Sequence, residues 1–500
     1  MKNRKIKLGL LAAILSIITL FFHAAFFRHA ANQVDPGTNG KIILVCLGLL
    51  MLVIDFLAYY IVLYLGRFIG KIILAITFII DAGCLYFINT YDVYLDKTMM
   101  GNVFNTNSQE ATGYYSSTFI LYMLVAGIIP CLIIFLSKVD YGKLKKFFRN
   151  VGIALLIGLG IGFGNMSNWP WIDKNSTVLG SLILPWSYIV NTCRYFNSER
   201  ANNREEILLP DATISNDDKD VVVLVIGESA RRDHFSLYGY ERETNPLLAQ
   251  EENLKVFLAE SSATYTTAGV KAILDHQPVK KLYEILPNYL YRAGVDVIWR
   301  TSNWGQSPLH IEKYSKLEDG HYDIELIDGL AEAITESGKN KVLVVLHTST
   351  SHGPSYNKRY PAEFEKYSPV PETVEMSTCP QDQLFNAYDN SILFTDYILD
   401  STINILKGLE DWNSTMIFVS DHGESLGEGN LYMHGVPYSI APKEQIEIPY
   451  IVWTSNAGQE YKDIEMASQY SVFHSVLYKL NVESPVYDEG MNIFSSSSAQ

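Results

Sequence analysis

The sequence predicts an α-helical membrane domain followed by an α/β domain with a mostly parallel sheet covered by helices. Two observations carry this prediction. The first third of the chain contains five apolar stretches, most of them near the roughly 20 residues that cross a bilayer. The rest of the 500-residue chain alternates short apolar runs with helical patterns, which is typical of a parallel sheet with helices on both faces.

The five apolar stretches are predicted membrane spans, and they cover residues 6–27, 42–66, 68–90, 117–137 and 150–165. Lys and Arg are concentrated before the first span and in alternate loops, and loops of this kind stay on the cytoplasmic side. The N-terminus is therefore predicted to lie inside, and an odd number of spans places the rest of the chain outside. In a bacterium this describes a multi-pass inner-membrane protein with its large domain in the periplasm.

The charge of the chain differs between its two parts. Residues 1–165 carry 14 Lys and Arg against 7 Asp and Glu, which leaves 25 basic and 47 acidic residues for the remainder. Proteins that bind nucleic acids need a basic surface. The acidic second part therefore argues against a nucleic-acid partner.

Cysteine is scarce for an exported domain, since only Cys193 and Cys379 lie outside the predicted spans. A disulfide between these two residues is one option, but single thiols are preferred. The fold is expected not to depend on disulfides.

Three segments are predicted: a transmembrane domain over 1–165, a connector over 166–217 and a large periplasmic domain over 218–500. The polar region between the third and fourth spans is too long for a turn, and an interfacial helix is predicted near 95–112. In the large domain, predicted strands cover 220–227, 295–300, 341–347, 414–420 and 449–453, and predicted helices include 278–293, 324–337 and 382–408.

The interfacial helix carries three polar residues on one face. Asn102, Thr106 and Glu110 are spaced i, i+4 and i+8, which aligns them along a helix. The spacing alone fits a solvated face as well as a binding surface.

Two predicted strands end in residue types that bind metals. The apolar run Val221–Ile226 leads to Glu228, and the run Met416–Val419 leads to Asp421 and His422. Ligands in open α/β sheets gather at the carboxyl ends of strands, so one composite metal site is predicted. One imidazole and two carboxylates suit Zn²⁺, with Mn²⁺ or Mg²⁺ as poorer fits. Taken alone, Glu228 also suits a helix cap.

A cluster of hydroxyl groups over residues 261–267 precedes a helical run. A hydroxyl at a helix N-terminus benefits from the helix dipole and from free amides that bind phosphate oxygens. The cluster is thus a candidate nucleophile, although helix capping is the commoner role. The chemistry of the residues does not choose among Thr264, Thr266 and Thr267.

Two further histidines lie in Gly- and Pro-containing loops. His352 follows the predicted strand at 341–347, and His434 follows the loop that contains Asp421. Their positions beside the predicted metal strands favour a role in binding phosphate or a second ion.

Four motifs in this order resemble the phosphoethanolamine transferases, a family of the sulfatase/alkaline-phosphatase superfamily that modifies lipid A. The resemblance covers nearly the whole chain, including the five spans ahead of the large domain. The motifs are Gly227–Pro246, Ser351–Pro361, Asp421–Glu428 and His434–Pro442.

The resemblance implies roles for individual residues. It implies that Thr266 is the nucleophile and that Zn²⁺ is held by Glu228, Thr266, Asp421 and His422. It also implies that His352 and His434 meet the substrate phosphate or a second zinc. Asn102, Thr106 and Glu110 match the polar trio that holds the donor head group.

The implied reaction moves phosphoethanolamine from phosphatidylethanolamine to lipid A, or to another envelope acceptor, through a covalent intermediate on Thr266. The alternative is a membrane-anchored phosphodiesterase or glycerophosphotransferase of the same superfamily. A non-catalytic envelope scaffold is disfavoured because the full set of ligand residues is present.

The chain also departs from the family pattern. Gly269–Ala272 replaces a common Ser-Val-Pro-Cys segment, so the usual disulfide beside the nucleophile is not expected. Pro371 stands where many members have the cysteine that pairs with the position of Cys379. A Ser and a Lys that contact substrate in some members fall near Trp304 and Ser307, and His310 or Lys313 are candidate substitutes.

Overall fold

The structure is a computed structural model that describes residues 5–34, 36–105, 114–202, 206–279, 281–318, 320–373 and 376–495. The chain separates into two compact units. The first contains Met1–Phe104 and Tyr114–Phe196, and the second contains Asn197–Gln500. Each unit has its own hydrophobic core.

The first unit is a bundle of apolar helices. Among the described residues, four helices are long and apolar enough to cross a membrane, and a pair bent by 58° adds a fifth candidate span. Four to five candidate spans agree with the predicted membrane domain, and the count of five holds if the bent pair is one span. The helices are α1 (Leu8–Phe21), α2 (Ala24–Gln33), α3 (Thr38–Gly66), α4 (Phe68–Tyr91), α5 (Lys97–Asn105), α6 (Ser117–Leu136), α7 (Leu144–Gly164), α8 (Trp169–Ser181) and α9 (Trp186–Asn202).

The helices of the second unit surround one large sheet. They are α10 (Thr266–Leu274), α11 (Leu286–Arg292), α12 (Leu330–Thr335), α13 (Gln381–Lys407) and α14 (Ser471–Lys479). The strands of the whole chain are β1 (Ile6–Lys7), β2 (Val139–Asp140), β3 (Thr213–Ile214), β4 (Asp220–Gly227), β5 (Leu254–Glu260), β6 (Asp296–Thr301), β7 (Lys313–Lys316), β8 (Lys341–His347), β9 (Asn413–Ser420), β10 (Ser425–Leu426), β11 (Tyr432–Met433), β12 (Glu447–Thr454), β13 (Ala467–Ser468) and β14 (Val482–Glu483).

The large sheet has eight strands in the order β13-β5-β12-β9-β4-β8-β6-β7. Only the two pairings of β12, with β5 and with β9, are antiparallel. The predicted mostly parallel sheet is therefore confirmed. β4 lies between β8 and β9 at its centre, and both of these neighbours are parallel to it.

Helices bury both faces of the central strands. Val222, Leu224 and Ile226 belong to a core that includes residues of α10, α11 and α14. The residues between them point to the opposite face, where α13 packs against β9. Every residue of β4 is buried, which explains why its sequence is a continuous apolar run rather than an alternating one.

Several predicted boundaries differ from the structure. The helix predicted over 278–293 begins only at Leu286, because Pro287 occupies the first turn, where proline is favoured. The helix predicted over 324–337 is divided by Gly329, whose φ of 60° is left-handed and ends the preceding turn. The predicted strands do not include β5, which is half-exposed.

Candidate active site

The predicted metal ligands lie where two neighbouring strands end. The parallel register of β4 and β9 places Gly227 opposite Ser420. Glu228 and Asp421 follow these residues directly, and both are almost completely buried. The sheet therefore brings two carboxylates together although they are nearly two hundred positions apart in the chain.

Ser229 forms a strained turn that fixes both carboxylates. Its backbone φ is 53°, a left-handed value that is uncommon for a residue other than glycine. In this conformation the Ser229 amide donates to Asp421 Oδ1 at 3.1 Å, and its hydroxyl donates to Glu228 Oε1 at 2.8 Å. Backbone strain of this kind is commonly found at functional sites.

Thr266 is the first residue of α10 and points at these groups. Its hydroxyl donates to Glu228 Oε2 at 3.3 Å and lies 3.4 Å from His422 Nε2. By contrast, the Thr264 hydroxyl donates to the Val436 carbonyl at 2.7 Å. The structure therefore brings Thr266 to the predicted ligands and directs Thr264 elsewhere.

Gly269 allows α10 to approach the site closely. A Cβ atom at this position would collide with the backbone carbonyl of Asp421. Only glycine leaves room for the helix to lie against the end of β9. Gly269, which begins the segment Gly269–Ala272 that departs from the family pattern, thus has a packing role next to Thr266.

The charges of the site are unbalanced without a cation. Burial and the neighbouring Glu228 raise the pKa of Asp421 well above its ordinary value. Burial also acts to raise the pKa of Glu228, but nearby histidines, His422 foremost, and a hydrogen bond from Asn303 bring it below the ordinary value. Two adjacent buried carboxylates cannot both ionise unless positive charge is supplied.

One oxygen at the site has no hydrogen-bond donor. Within the described part of the chain, Asp421 Oδ2 accepts no hydrogen bond although it is buried. His422 Nε2 lies 3.4 Å from this oxygen and 3.4 Å from Glu228 Oε1. An orphaned oxygen, a second carboxylate and an imidazole within this space are a donor set that suits Zn²⁺.

His434 extends this cluster. Glu228, His422 and His434 each offer a ligand atom, and these atoms lie within 4.8 Å of one another. The His434 ring centroid lies 4.2 Å from that of His422 and 5.7 Å from that of His352. Burial, followed by the neighbouring His422, lowers the pKa of His434 to about 3. Both loop histidines therefore lie at the same sheet edge as the predicted ligands.

Two residues that the sequence analysis did not single out contact the site. Asn303 donates to Glu228 Oε2 at 2.7 Å. Glu424 accepts from His434 Nδ1 at 2.9 Å and from the Tyr356 hydroxyl at 2.9 Å, and burial raises its pKa to about 7. Asn303 follows the strand predicted at 295–300, and Glu424 lies in the motif Asp421–Glu428. These positions could have identified both residues as site candidates.

The remaining candidates lie elsewhere or outside the described residues. His310 lies 3.5 Å from Glu206, and Lys313 donates to Asp296 at 2.6 Å, so both candidate substitutes are engaged by other acids. Asn102 lies in α5 of the first unit, whereas Thr106 and Glu110 fall outside the described residues. No disulfide joins the cysteines that the structure describes.

Comparisons with known proteins show the family of the chain. A family model described as Sulfatase matches residues 220–482, and a model described as Phosphoethanolamine transferase EptA/EptB matches residues 53–200. Phosphoethanolamine transferase EptA of Helicobacter pylori is 37% identical over 418 residues, which is 80% of each chain. Kdo(2)-lipid A phosphoethanolamine 7''-transferase of Salmonella typhimurium is 26% identical over 500 residues, covering 90% of this chain and 87% of that protein.

A solved structure matches both units. The integral membrane protein lipooligosaccharide phosphoethanolamine transferase A (EptA) of Neisseria meningitidis superposes with a TM-score of 0.89 at 25% identity, over 98% of this chain and 99% of that one. Together with the candidate spans, this match identifies a multi-pass inner-membrane protein, as predicted. The chain belongs to the phosphoethanolamine transferase family, within the sulfatase/alkaline-phosphatase superfamily.

Proposed function

We propose that the protein transfers phosphoethanolamine from phosphatidylethanolamine to lipid A, with Thr266 as the covalent carrier and Zn²⁺ as the cofactor. The observation that carries the proposal is the position of the Thr266 hydroxyl, which lies within 3.4 Å of both Glu228 and His422. The acceptor is inferred from relatives whose names specify lipid A and lipooligosaccharide.

In the first step, Thr266 Oγ1 attacks the phosphorus of the donor lipid. A P–O bond to Thr266 forms, the P–O bond to glycerol breaks, and diacylglycerol leaves with a proton. Thr266 directs its hydroxyl proton at Glu228 Oε2, which is the acceptor nearest to the nucleophile. Free amides in the first turn of α10 suit the phosphoryl oxygens.

In the second step, an oxygen of the acceptor forms a P–O bond to the same phosphorus and the P–O bond to Thr266 breaks. Thr266 Oγ1 leaves with the proton that the acceptor hydroxyl releases. Enzymes catalyse phosphoryl transfer chiefly by positioning the reactants and by stabilising the charge on the equatorial oxygens. His352 is proposed to donate to these oxygens, and preorganised donors of this kind are a large source of catalysis. His434, whose Nδ1 lies against Glu424, is proposed to meet the substrate phosphate or a second ion. Asn102, Thr106 and Glu110 are proposed to bind the donor head group.

Glu228, Thr266, Asp421 and His422 are proposed to hold one zinc ion. When bound, the ion supplies positive charge that lowers the pKa of the nearby hydroxyl and offsets the two carboxylates. A second ion beside His352 and His434 is the alternative stoichiometry, and metal analysis of the purified protein distinguishes one ion from two.

The proposal is tested by incubating the full-length protein with head-group-labelled phosphatidylethanolamine and lipid A. We expect a phosphoethanolamine mass increment on lipid A for the wild type and none for Thr266→Ala. Thr267→Ala is the matched control, since it removes a neighbouring threonine hydroxyl, and it should retain transfer.

Without the acceptor, peptide mass spectrometry should find the phosphoethanolamine adduct on the peptide that contains Thr266. An adduct on another residue would reassign the nucleophile. Release of free phosphoethanolamine without transfer to any acceptor would favour the phosphodiesterase.

A further inference from the structure

The two loop histidines differ in the partner of their Nδ1 atom. His434 Nδ1 lies 2.9 Å from a carboxylate oxygen of Glu424. His352 Nδ1 lies 3.5 Å from Arg359 Nη2. A guanidinium group has only donors, so the His352 nitrogen can only accept in this contact. An ionised Glu424 favours a hydrogen on Nδ1 of His434, whereas Arg359 favours a lone pair on Nδ1 of His352.

The contact with Arg359 determines where the proton of His352 lies. A neutral imidazole has one N–H and one acceptor nitrogen. A neutral His352 whose Nδ1 accepts from Arg359 carries its hydrogen on Nε2. Nε2 is therefore a hydrogen-bond donor and has no lone pair to offer a metal.

Arg359 holds the backbone of His352 as well as its ring. Its Nε donates to the His352 carbonyl oxygen at 3.3 Å. A planar guanidinium that contacts both groups restricts the ring orientation more than a single flexible donor does. His352 itself is only 4% exposed, so solvent competes little for these contacts.

We propose that Arg359 is a positioning residue that holds His352 as its Nε2–H tautomer, so that His352 donates a hydrogen bond to the phosphoryl group and does not bind a second metal. This inference rests on the proposed function for the identity of the group that is bound.

The tautomer is measured directly by NMR on the zinc-loaded, full-length protein in detergent, labelled with ¹⁵N in the histidine rings. The chain has 11 histidines, and the His352 signals are assigned from their loss in His352→Gln. We expect ring correlations of an Nε2–H tautomer in the wild type and a mixture of tautomers in Arg359→Met. A wild-type His352 with its proton on Nδ1, or bound to metal through Nε2, would overturn the proposal.

Steady-state transfer kinetics test the consequence for the reaction. Arg359→Met should lower kcat about tenfold, which corresponds to one hydrogen bond of about 1.4 kcal/mol, and should leave KM nearly unchanged. Arg359→Lys keeps the positive charge but lacks the planar guanidinium that contacts two groups of His352. Its kcat should lie between those of Arg359→Met and wild type. Lys358→Met removes the exposed neighbouring cation and should behave as wild type.

A double-mutant comparison separates positioning from general structural damage. The amide side chain introduced by His352→Gln has no tautomer for Arg359 to select, so adding Arg359→Met to that variant should lower kcat no further. A second tenfold loss in the double variant would show that Arg359 acts on the fold and would reject the proposal. If the wild type transfers no phosphoethanolamine, the proposed function fails, while the NMR result still decides the tautomer.

Discussion

Both ends of the central strands carry buried charges, but the two ends are neutralised differently. At the amino ends of β4 and β8, Asp220 forms an ion pair with Lys341, and each side chain is 2% exposed. Asn413 donates to Asp220 Oδ1 and Asn481 donates to Asp220 Oδ2, both at 2.8 Å. This end of the sheet supplies its own cation and satisfies both carboxylate oxygens.

At the carboxyl ends of β4 and β9, the buried groups are two carboxylates, Glu228 and Asp421. Their neighbours are the hydroxyls of Ser229 and Thr266, the side-chain amide of Asn303 and imidazoles. Among the described residues, Asp421 Oδ2 has no donor. Neither lysine nor arginine contributes a contact to either carboxylate in the hydrogen bonds described. The two ends therefore differ in one respect: the amino end has a lysine beside its buried carboxylate, whereas the carboxyl end has two buried carboxylates and no contacting lysine or arginine among the described residues.

The largest expected effect comes from neutralising Asp421. Asp421→Asn should reduce transfer by about 10³-fold or more, the scale for losing an essential group, and should lower bound zinc measured by mass spectrometry. Without metal, the variant should unfold at a temperature equal to or above that of metal-free wild type, because the repulsion between two buried carboxylates is removed.

Asp411→Asn is the matched control, since this carboxylate is 86% exposed. A metal-free Asp421→Asn protein that is much less stable than metal-free wild type would contradict the view that this end lacks a cation.

A large effect of a different kind is expected at the amino end. Lys341→Met leaves Asp220 buried without its cation and should lower the unfolding free energy by about 3–5 kcal/mol. The folded fraction should keep its zinc content and its kcat, because Lys341 lies at the other end of the strands. The measurement is thermal unfolding in detergent alongside metal analysis.

The double variant Asp220→Asn/Lys341→Met should recover much of that stability, since neither buried charge remains. If Lys341→Met lost zinc without losing stability, the amino ends of the strands would contribute to metal binding and not to stability, which is the opposite of what we expect.

A small effect is expected for Asn413→Ala. Asp220 keeps Lys341 and Asn481 after this change, so we expect a loss of only about 1 kcal/mol, the net value of one hydrogen bond. Transfer activity should be unchanged. If Asn413→Ala lost activity while keeping its stability, the amino ends of the strands would take part in the reaction. That result would contradict the separate roles given to the two ends.

The central strands were predictable because their burial on both faces produces continuous apolar runs. β4, β8 and β9 begin and end within one residue of their predicted positions. Half-exposed elements, such as β5, lack that signal. The boundaries of α11 and α12 depend on single residues, Pro287 and Gly329, whose effect a periodic pattern does not include.

The candidate site was predictable in part. Glu228, Asp421 and His422 follow recognisable strands, so their convergence could be inferred from the parallel sheet. Thr266 was selected only by resemblance, because residue chemistry left Thr264 and Thr267 open. Its proximity to Glu228 depends on how α10 lies against β9, and no local pattern records that packing.

The sequence by itself determined the membrane part and the α/β part, the central strands, and the residue types after those strands that can hold a cation. It could do so because burial and ligand chemistry act on each segment locally. Only the tertiary structure decided which hydroxyl meets the carboxylates and which partner each loop histidine takes. Glu424 and Arg359 are both near in sequence to the histidine they contact, yet one places a carboxyl group and the other a guanidinium group against Nδ1. That difference arises from side-chain direction in folded loops, where distance and angle decide which atom donates.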